Sequence, residues 1–191
     1  YGLQLTIDYH IQKAVEAVMD RLGIQGAVVV LDVESGELLA LASRPNYEQQ
    51  NVEKYLDGQR GELLNKAFQQ YNLGSIFKTV VSAAALEDDR INPFETVHCP
   101  GYIEVGSLKV KCSSYDEGGH GDLNIFEAYA RSCNTFFIEL GQRIGGKSIT
   151  EMARRFGLGS IIGINPMEEQ TGLIPREESI YRPDLCNISI G

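Results

Sequence analysis

The segment Gly74-Ser75-Ile76-Phe77-Lys78 runs into the apolar, alanine-rich stretch Phe77–Leu86, and this junction most constrains what the chain can become. A helix that apolar must be buried along most of its surface. Whatever precedes it is therefore anchored rigidly to a core. Its β-branched start at Thr79-Val80-Val81 also points to packing rather than intrinsic propensity as the source of its stability. Ser75 and Lys78 are three residues apart, so on a helix they share a face, and the amine can reach the hydroxyl without a histidine. The helix N-terminus adds amide dipoles that favour an oxyanion. Ser-x-x-Lys recurs by chance as an ordinary cap, so the surrounding residues carry the weight.

The rest of the chain reads as strands and helices around that junction. Thr6 or Asp8 can cap a helix whose apolar positions Ile11, Val15, Val18 and Leu22 fall on one face and which ends at Gly23. Ala27–Leu31 and Leu38–Leu41 flank Glu34-Ser35-Gly36-Glu37 as a hairpin. Arg44 to Asp57 reads as loop. After Asn92-Pro93 come a Cys99-Pro-Gly turn, a small hairpin across Gly106-Ser107 and a glycine-rich loop at residues 118–121. From there the pattern is helical: Asp122 is placed to cap a helix to Arg131, a second runs from Asn134 to Ile144, and Ser148-x-x-Glu151 forms a capping box for a third that ends at Gly157. The expected organisation is one domain in two parts. Residues 1–90 supply the N-terminal helix, the hairpin and the nucleophile helix, and residues 91–191 supply a hairpin and a helical lobe.

Composition narrows the function. With 43% hydrophobic residues the chain can bury a core. A net charge of −9 argues against nucleic acid and against a polybasic membrane patch. No stretch approaches the ~20 apolar residues of a membrane span.

Fifty-four residues after Lys78 stands Ser132-Cys133-Asn134. Ser-x-x-Lys, Ser-x-Asn and a third Lys-Thr-Gly element occur together in penicillin-binding proteins and class A β-lactamases. From Gly26 to Ser43, through Asn65-Lys-Ala-Phe68, Gly74–Lys78 and Ala83-Ala-Ala-Leu-Glu87, the chain resembles the transpeptidase domain of class B penicillin-binding proteins. The resemblance continues through Gly119-His-Gly121, Ser132–Asn134 and Gly172-Leu-Ile-Pro175. It implies an α/β penicillin-binding transpeptidase / β-lactamase-like fold: a partial antiparallel sheet with helices, plus an all-helical lobe. The third motif is expected well downstream of Ser132, and the 191 residues contain neither Lys-Thr-Gly nor Lys-Ser-Gly; Gln170-Thr171-Gly172 lacks the lysine. The sequence accordingly reads as a C-terminally truncated domain without the later sheet strands, its membrane anchor lying upstream.

The resemblance further implies a peptidoglycan D,D-transpeptidase in which Ser75 attacks a D-alanyl-D-alanine stem peptide, Lys78 is the base, Ser132 relays a proton and Asn134 binds the substrate backbone. β-Lactams would trap Ser75, other cell-wall synthesis proteins would be partners of the parent, and the domain would face the outside of the cytoplasmic membrane. Catalysis needs no cofactor. Without the third motif the chain is expected to be weakly active or inactive. A serine β-lactamase or D,D-carboxypeptidase, and a non-catalytic β-lactam sensor or cell-wall scaffold, are the competing readings.

Cys99, Cys112, His120 and Cys133 match a Cys3His zinc site in number and type, though without a Cys-x-x-Cys knuckle. Some elongation-type members of the resembled family carry zinc in the matching region, which implies a structural metal tying the Ser132 loop to the hairpin. A Cys99–Cys112 disulfide and unpaired thiols are the alternatives. Cys186, His10 and His98 fit none of these patterns.

Overall fold

The computed structural model describes residues 2–58, 60–88, 91–164 and 169–191. The chain divides into two compact units, Tyr1–Gln69 with Gly163–Gln170, and Gln70–Ile162 with Thr171–Gly191.

In the first unit, Asp8 rather than Thr6 caps helix α1 (Tyr9–Leu22), its carboxylate accepting from the His10 and Ile11 amides. The Thr6 hydroxyl instead donates to the Leu38 carbonyl. The helix ends at Gly23, where φ of 63° suits a residue without Cβ. Strands β1 (Gly26–Leu31) and β2 (Leu38–Arg44) pair antiparallel. Their turn is held by Asp32, which accepts from the amides of Glu34 and Ser35 and from the Ser35 hydroxyl. Gln12 of α1 bonds Leu41 through both ends of its amide, at 3.0 Å and 2.8 Å, so a side chain serves as a strand edge would. Arg44 is buried, and its guanidinium meets Asp20 in two bonds and Glu16 in a longer contact. The segment expected as loop contains a 3-10 stretch, Gln49–Tyr55.

The second unit holds the core. A 3-10 turn (Gly74–Phe77) leads into α2 (Lys78–Leu86). Val80, Val81, Ala84 and Ala85 of α2 pack with Phe136, Phe137, Leu140 and Ile144 of α4 (Asn134–Arg155), as the apolar stretch required. Strand β3 (Val97–Cys99) pairs with β6 (Gly121–Leu123), and β4 (Tyr102–Val105) pairs with β5 (Leu108–Lys111). Helix α5 (Arg182–Ile190) packs on α4 where Gly141 lies against Ser189; a Cβ at 141 would sit 2.8 Å from that of Ser189.

Two expected helix caps are corrected. Asp122 caps nothing: it lies in β6, its carboxylate bonded to His98 at 2.7 Å. The cap of α3 (Ile125–Ala130) is Asn124, whose side chain accepts from the Phe126 and Glu127 amides while Glu127 accepts from the Asn124 amide, a complete capping box. Gly145 (φ 82°, ψ 161°) is non-helical and divides residues 134–155 into two helices, as expected, but the second begins ahead of Ser148, whose hydroxyl donates back to the Ile144 carbonyl instead of capping it. Glycine tolerates the positive φ of that break.

Candidate active site

Ser75 lies in the 3-10 turn, not in the α-helix that follows. In 3-10 geometry side chains at i and i+3 eclipse, which stacks Lys78 directly against Ser75 more closely than an α-helix would. Gly74 precedes it with φ of 57°, a left-handed conformation that sets the sharp entry into the turn. Ser75 is exposed, whereas Lys78 retains only 1% of its accessible surface. A hydroxyl that substrate can reach is thus backed by an amine that water cannot.

Four oxygens surround Lys78 Nζ: the Ser132 carbonyl at 2.7 Å, Asn134 Oδ1 at 2.7 Å, Ser132 Oγ at 2.9 Å and Ser75 Oγ at 3.2 Å. The two shortest contacts are to acceptor-only oxygens, so they consume two N–H bonds. The third position of the nitrogen faces the two hydroxyls. In an ammonium it is a third donor; in a neutral amine it is the lone pair, able to accept a proton from either serine. Which form prevails depends on pKa. Burial pushes the Lys78 pKa down, opposed by charge on the Cys112 and Cys133 thiols. The Phe137 ring, 5.5 Å from Nζ, forms an apolar floor beneath it.

Ser132 is held with φ of 52°, the one non-glycine residue in the left-handed region among those described. That conformation costs roughly 1–2 kcal/mol. Two features stabilise it here: Lys78 binds its carbonyl, and the next residue, Cys133, caps α4 by accepting the Phe136 amide on sulfur at 3.5 Å. Strain of this kind concentrates where side-chain placement matters. Asn134 begins α4, and while its Oδ1 takes Lys78, its Nδ2 donates to the Lys111 carbonyl at 3.2 Å. The second Nδ2 hydrogen is then the one that can serve a substrate carbonyl. Near the opening of the pair, the Thr79 and Tyr129 hydroxyls meet at 2.9 Å and join the starts of α2 and the Ser132 turn.

The four residues Cys99, Cys112, His120 and Cys133 converge, their donor atoms all lying within 4.8 Å of one another. Cys112 Sγ is 3.8 Å from Cys133 Sγ, and His120 Nδ1 is 3.5 Å from Cys112 Sγ and 3.7 Å from Cys99 Sγ. A tetrahedral zinc with sulfur at ~2.3 Å and nitrogen at ~2.0 Å separates its ligand atoms by about 3.5–3.8 Å. These three separations match one such ion, and the remaining pairs, all within 4.8 Å, would close by at most about 1 Å to hold it. The three cysteines are thiols, without the Cys99–Cys112 disulfide that their hairpin position allowed. Burial would raise the Cys112 thiol, but amides of Asn134, Ser114 and Thr135 outweigh it and bring it down to about 7. His120 is shifted down by burial and by Arg131, favouring the neutral imidazole that a metal binds. Gly119 makes this packing possible, since a Cβ there would collide with the Cys99 carbonyl and come within 2.6 Å of the Gly101 amide nitrogen.

Residues 26–191 match the model of the penicillin-binding-protein transpeptidase domain. The chain belongs to this family. It is 32% identical over 197 residues to the penicillin-binding protein PbpB of Mycolicibacterium smegmatis, which covers 99% of this chain and 30% of that protein. To the peptidoglycan D,D-transpeptidase MrdA of Escherichia coli it is 29% identical over 209 residues, covering 100% of the chain and 33% of MrdA. Among solved structures, the penicillin-binding protein PBP2 from Helicobacter pylori superposes with a TM-score of 0.88 at 28% identity, over 99% of this chain and 39% of that one. The chain thus spans about a third of the length of these relatives, and its fold is the penicillin-binding transpeptidase fold expected from the motifs.

All eight residues singled out in the sequence fall into two adjoining clusters in the second unit, Ser75, Lys78, Ser132 and Asn134 in one and the three cysteines with His120 in the other. Cys186 is apart from both, buried with its thiol donating to the Arg182 carbonyl. Sequence reasoning missed the Lys111 carbonyl, because a backbone acceptor leaves no signature in residue type. It also missed Phe137 and Tyr129, which follow from helical spacing only once α3 and α4 are known to meet at the Ser132 turn.

Proposed function

We propose that the chain carries the acylation machinery of a peptidoglycan D,D-transpeptidase. The observation behind this reading is the convergence on one buried amine of an exposed serine hydroxyl, a second serine and an asparagine amide. Lys78 in its neutral form takes the proton as Ser75 Oγ attacks the carbonyl of a D-alanyl-D-alanine bond, and the carbon–nitrogen bond breaks as the leaving D-alanine amine is protonated through Ser132. Asn134 holds the peptide carbonyl with its remaining hydrogen. An amine from a second stem peptide then takes the acyl group from Ser75. A β-lactam enters by the same attack and stays as an ester. The Ser75 amide is proposed as one oxyanion donor, with the other on the strand of the third motif; a missing donor costs ~10²–10³ in rate. Because the 191 residues hold no Lys-Thr-Gly triad, this stretch alone is proposed to turn over slowly.

The Cys3His cluster is proposed to hold a structural zinc. The ion would supply rigidity and no chemistry, fixing Cys133, and hence Ser132 and Asn134, against the hairpin that carries Cys99 and Cys112. Such a domain works at the outer face of the cytoplasmic membrane, with the other proteins of cell-wall synthesis as partners of the longer protein. Among the described residues, no helix is long and apolar enough to cross a membrane.

The test uses an acyl-D-alanyl-D-alanine donor with and without a labelled D-amino acid acceptor. Acceptor incorporation that disappears in Ser75→Ala supports transfer. Hydrolysis alone would identify a carboxypeptidase or β-lactamase, and no consumption of donor with retained peptide binding would identify a sensor or scaffold.

A further inference from the structure

A second feature adjoins Asn134. The β4–β5 register pairs Tyr102 with Lys111 and Glu104 with Lys109, which places these four on one face and leaves Ile103, Val105, Leu108 and Val110 on the other. On that face both ammonium groups lie over aromatic rings. Lys109 Nζ is 3.7 Å from the centroid of Tyr102 and 5.5 Å from that of Tyr115, and Lys111 Nζ is 4.1 Å from Tyr115. The two rings are themselves in edge contact at 6.1 Å. Both lysines are exposed, and among the described residues neither has a carboxylate within 4.0 Å, even though Glu104 is the cross-strand partner of Lys109. Stacking on the rings removes much of the side-chain freedom that a lysine ordinarily loses when it binds an anion.

The strand bearing these lysines ends at the site, since the Lys111 carbonyl is the acceptor for Asn134 Nδ2. We propose that the Lys109–Lys111 face is a carboxylate subsite, and that it selects an acidic residue upstream of the scissile bond in the peptide presented to Ser75. An extended peptide advances ~3.3 Å per residue, so a carboxylate two or three residues before the attacked carbonyl lies ~7–10 Å from it. Lys111 stands on the strand whose end meets Asn134, and the proposal sets that carboxylate against its ammonium. The proposal rests on the acyl-transfer reading above and adds a substrate preference to it.

The experiment titrates the ¹⁵N-labelled chain with N-acetyl-γ-D-glutamyl-L-lysyl-D-alanyl-D-alanine bearing a free α-carboxylate on the glutamate, and with the same peptide as its α-carboxamide. The acid binds about 3- to 5-fold more tightly than the amide, and it shifts the Lys109, Lys111 and Tyr115 resonances. That preference disappears in Lys109→Gln/Lys111→Gln and at ~1 M salt, while the amide-dispersed spectrum shows the variant folded. Equal affinity for the two peptides, a preference that survives the double substitution, or no shift with either peptide at millimolar concentration overturns the subsite. Penicillin acylation of Ser75, measured in parallel, separates these failures from failure of the acyl-transfer reading. Acylation with equal peptide affinities removes only the subsite; absence of acylation removes both.

Discussion

Replacing Lys78 with methionine keeps the length and apolar stem of the side chain and removes only the amine. The structure sets two consequences. Acylation of Ser75 loses its base and falls ~10²–10⁴-fold. Stability changes in a way that depends on pH. At neutral pH the substitution strips the Ser132 carbonyl and Asn134 Oδ1 of their shortest partner, each worth about 1 kcal/mol because both residues are only half buried and water can replace part of the loss. Against this, the wild type carries the cost of a buried amine, and methionine does not. Burial lowers the Lys78 pKa below its usual 10.5. Between the lowered value and 10.5 the unfolded state therefore holds more protons than the folded state, so wild-type stability rises with pH through that window and levels off above it. Methionine has no such rise. The deficit of Lys78→Met is about 0–2 kcal/mol at pH 7 and widens toward pH 10. Urea unfolding of both proteins at pH steps from 6 to 10, taken as a difference so that other groups cancel, measures it. A deficit that stays flat or narrows with pH refutes the claim that Lys78 is held neutral-leaning by burial.

Three further outcomes follow from single residues. Gly119→Ala drives a methyl into the Cys99 carbonyl, so the zinc proposed for the Cys3His cluster, expected at one per chain in the parent, is expected well below one in the purified variant, read by metal analysis of protein prepared without chelator. Asn124→Ala removes the acceptor for two amides at the start of α3 and costs about 1 kcal/mol, or ~3 °C in the melting temperature. Gly191→Ala places a Cβ against the Gly74 carbonyl, immediately before the nucleophile, and shifts the Ser75 and Ile76 amide resonances while leaving those of the β4–β5 hairpin in place.

Much of this was legible in the sequence for definite reasons. The apolar run after Lys78 had to be buried, and α2 is. The three cysteines and one histidine announced a shared site by donor type alone, and they converge. What was misread was local and turned on competition between equivalent cues. Asp122 and Asn124 are both good caps two residues apart, and strand pairing with β3 claimed Asp122. Ser148 with Glu151 has the capping-box spacing, but the helix had already restarted after Gly145, so the hydroxyl turned back to Ile144. The 3-10 geometry at Ser75 was hidden because glycine at 74 permits either form of turn and only tertiary packing chooses between them. The left-handed Ser132 was likewise invisible: nothing in a serine codon predicts it, and its support comes from a lysine 54 residues earlier.

The most direct measurement is the intact mass of the chain after incubation with a penicillin, alongside Ser75→Ala, with peptide mapping of any adduct. The account predicts one added drug mass, located on the peptide that contains Ser75 and absent from the variant. An adduct on another residue, or one that persists in Ser75→Ala, contradicts it.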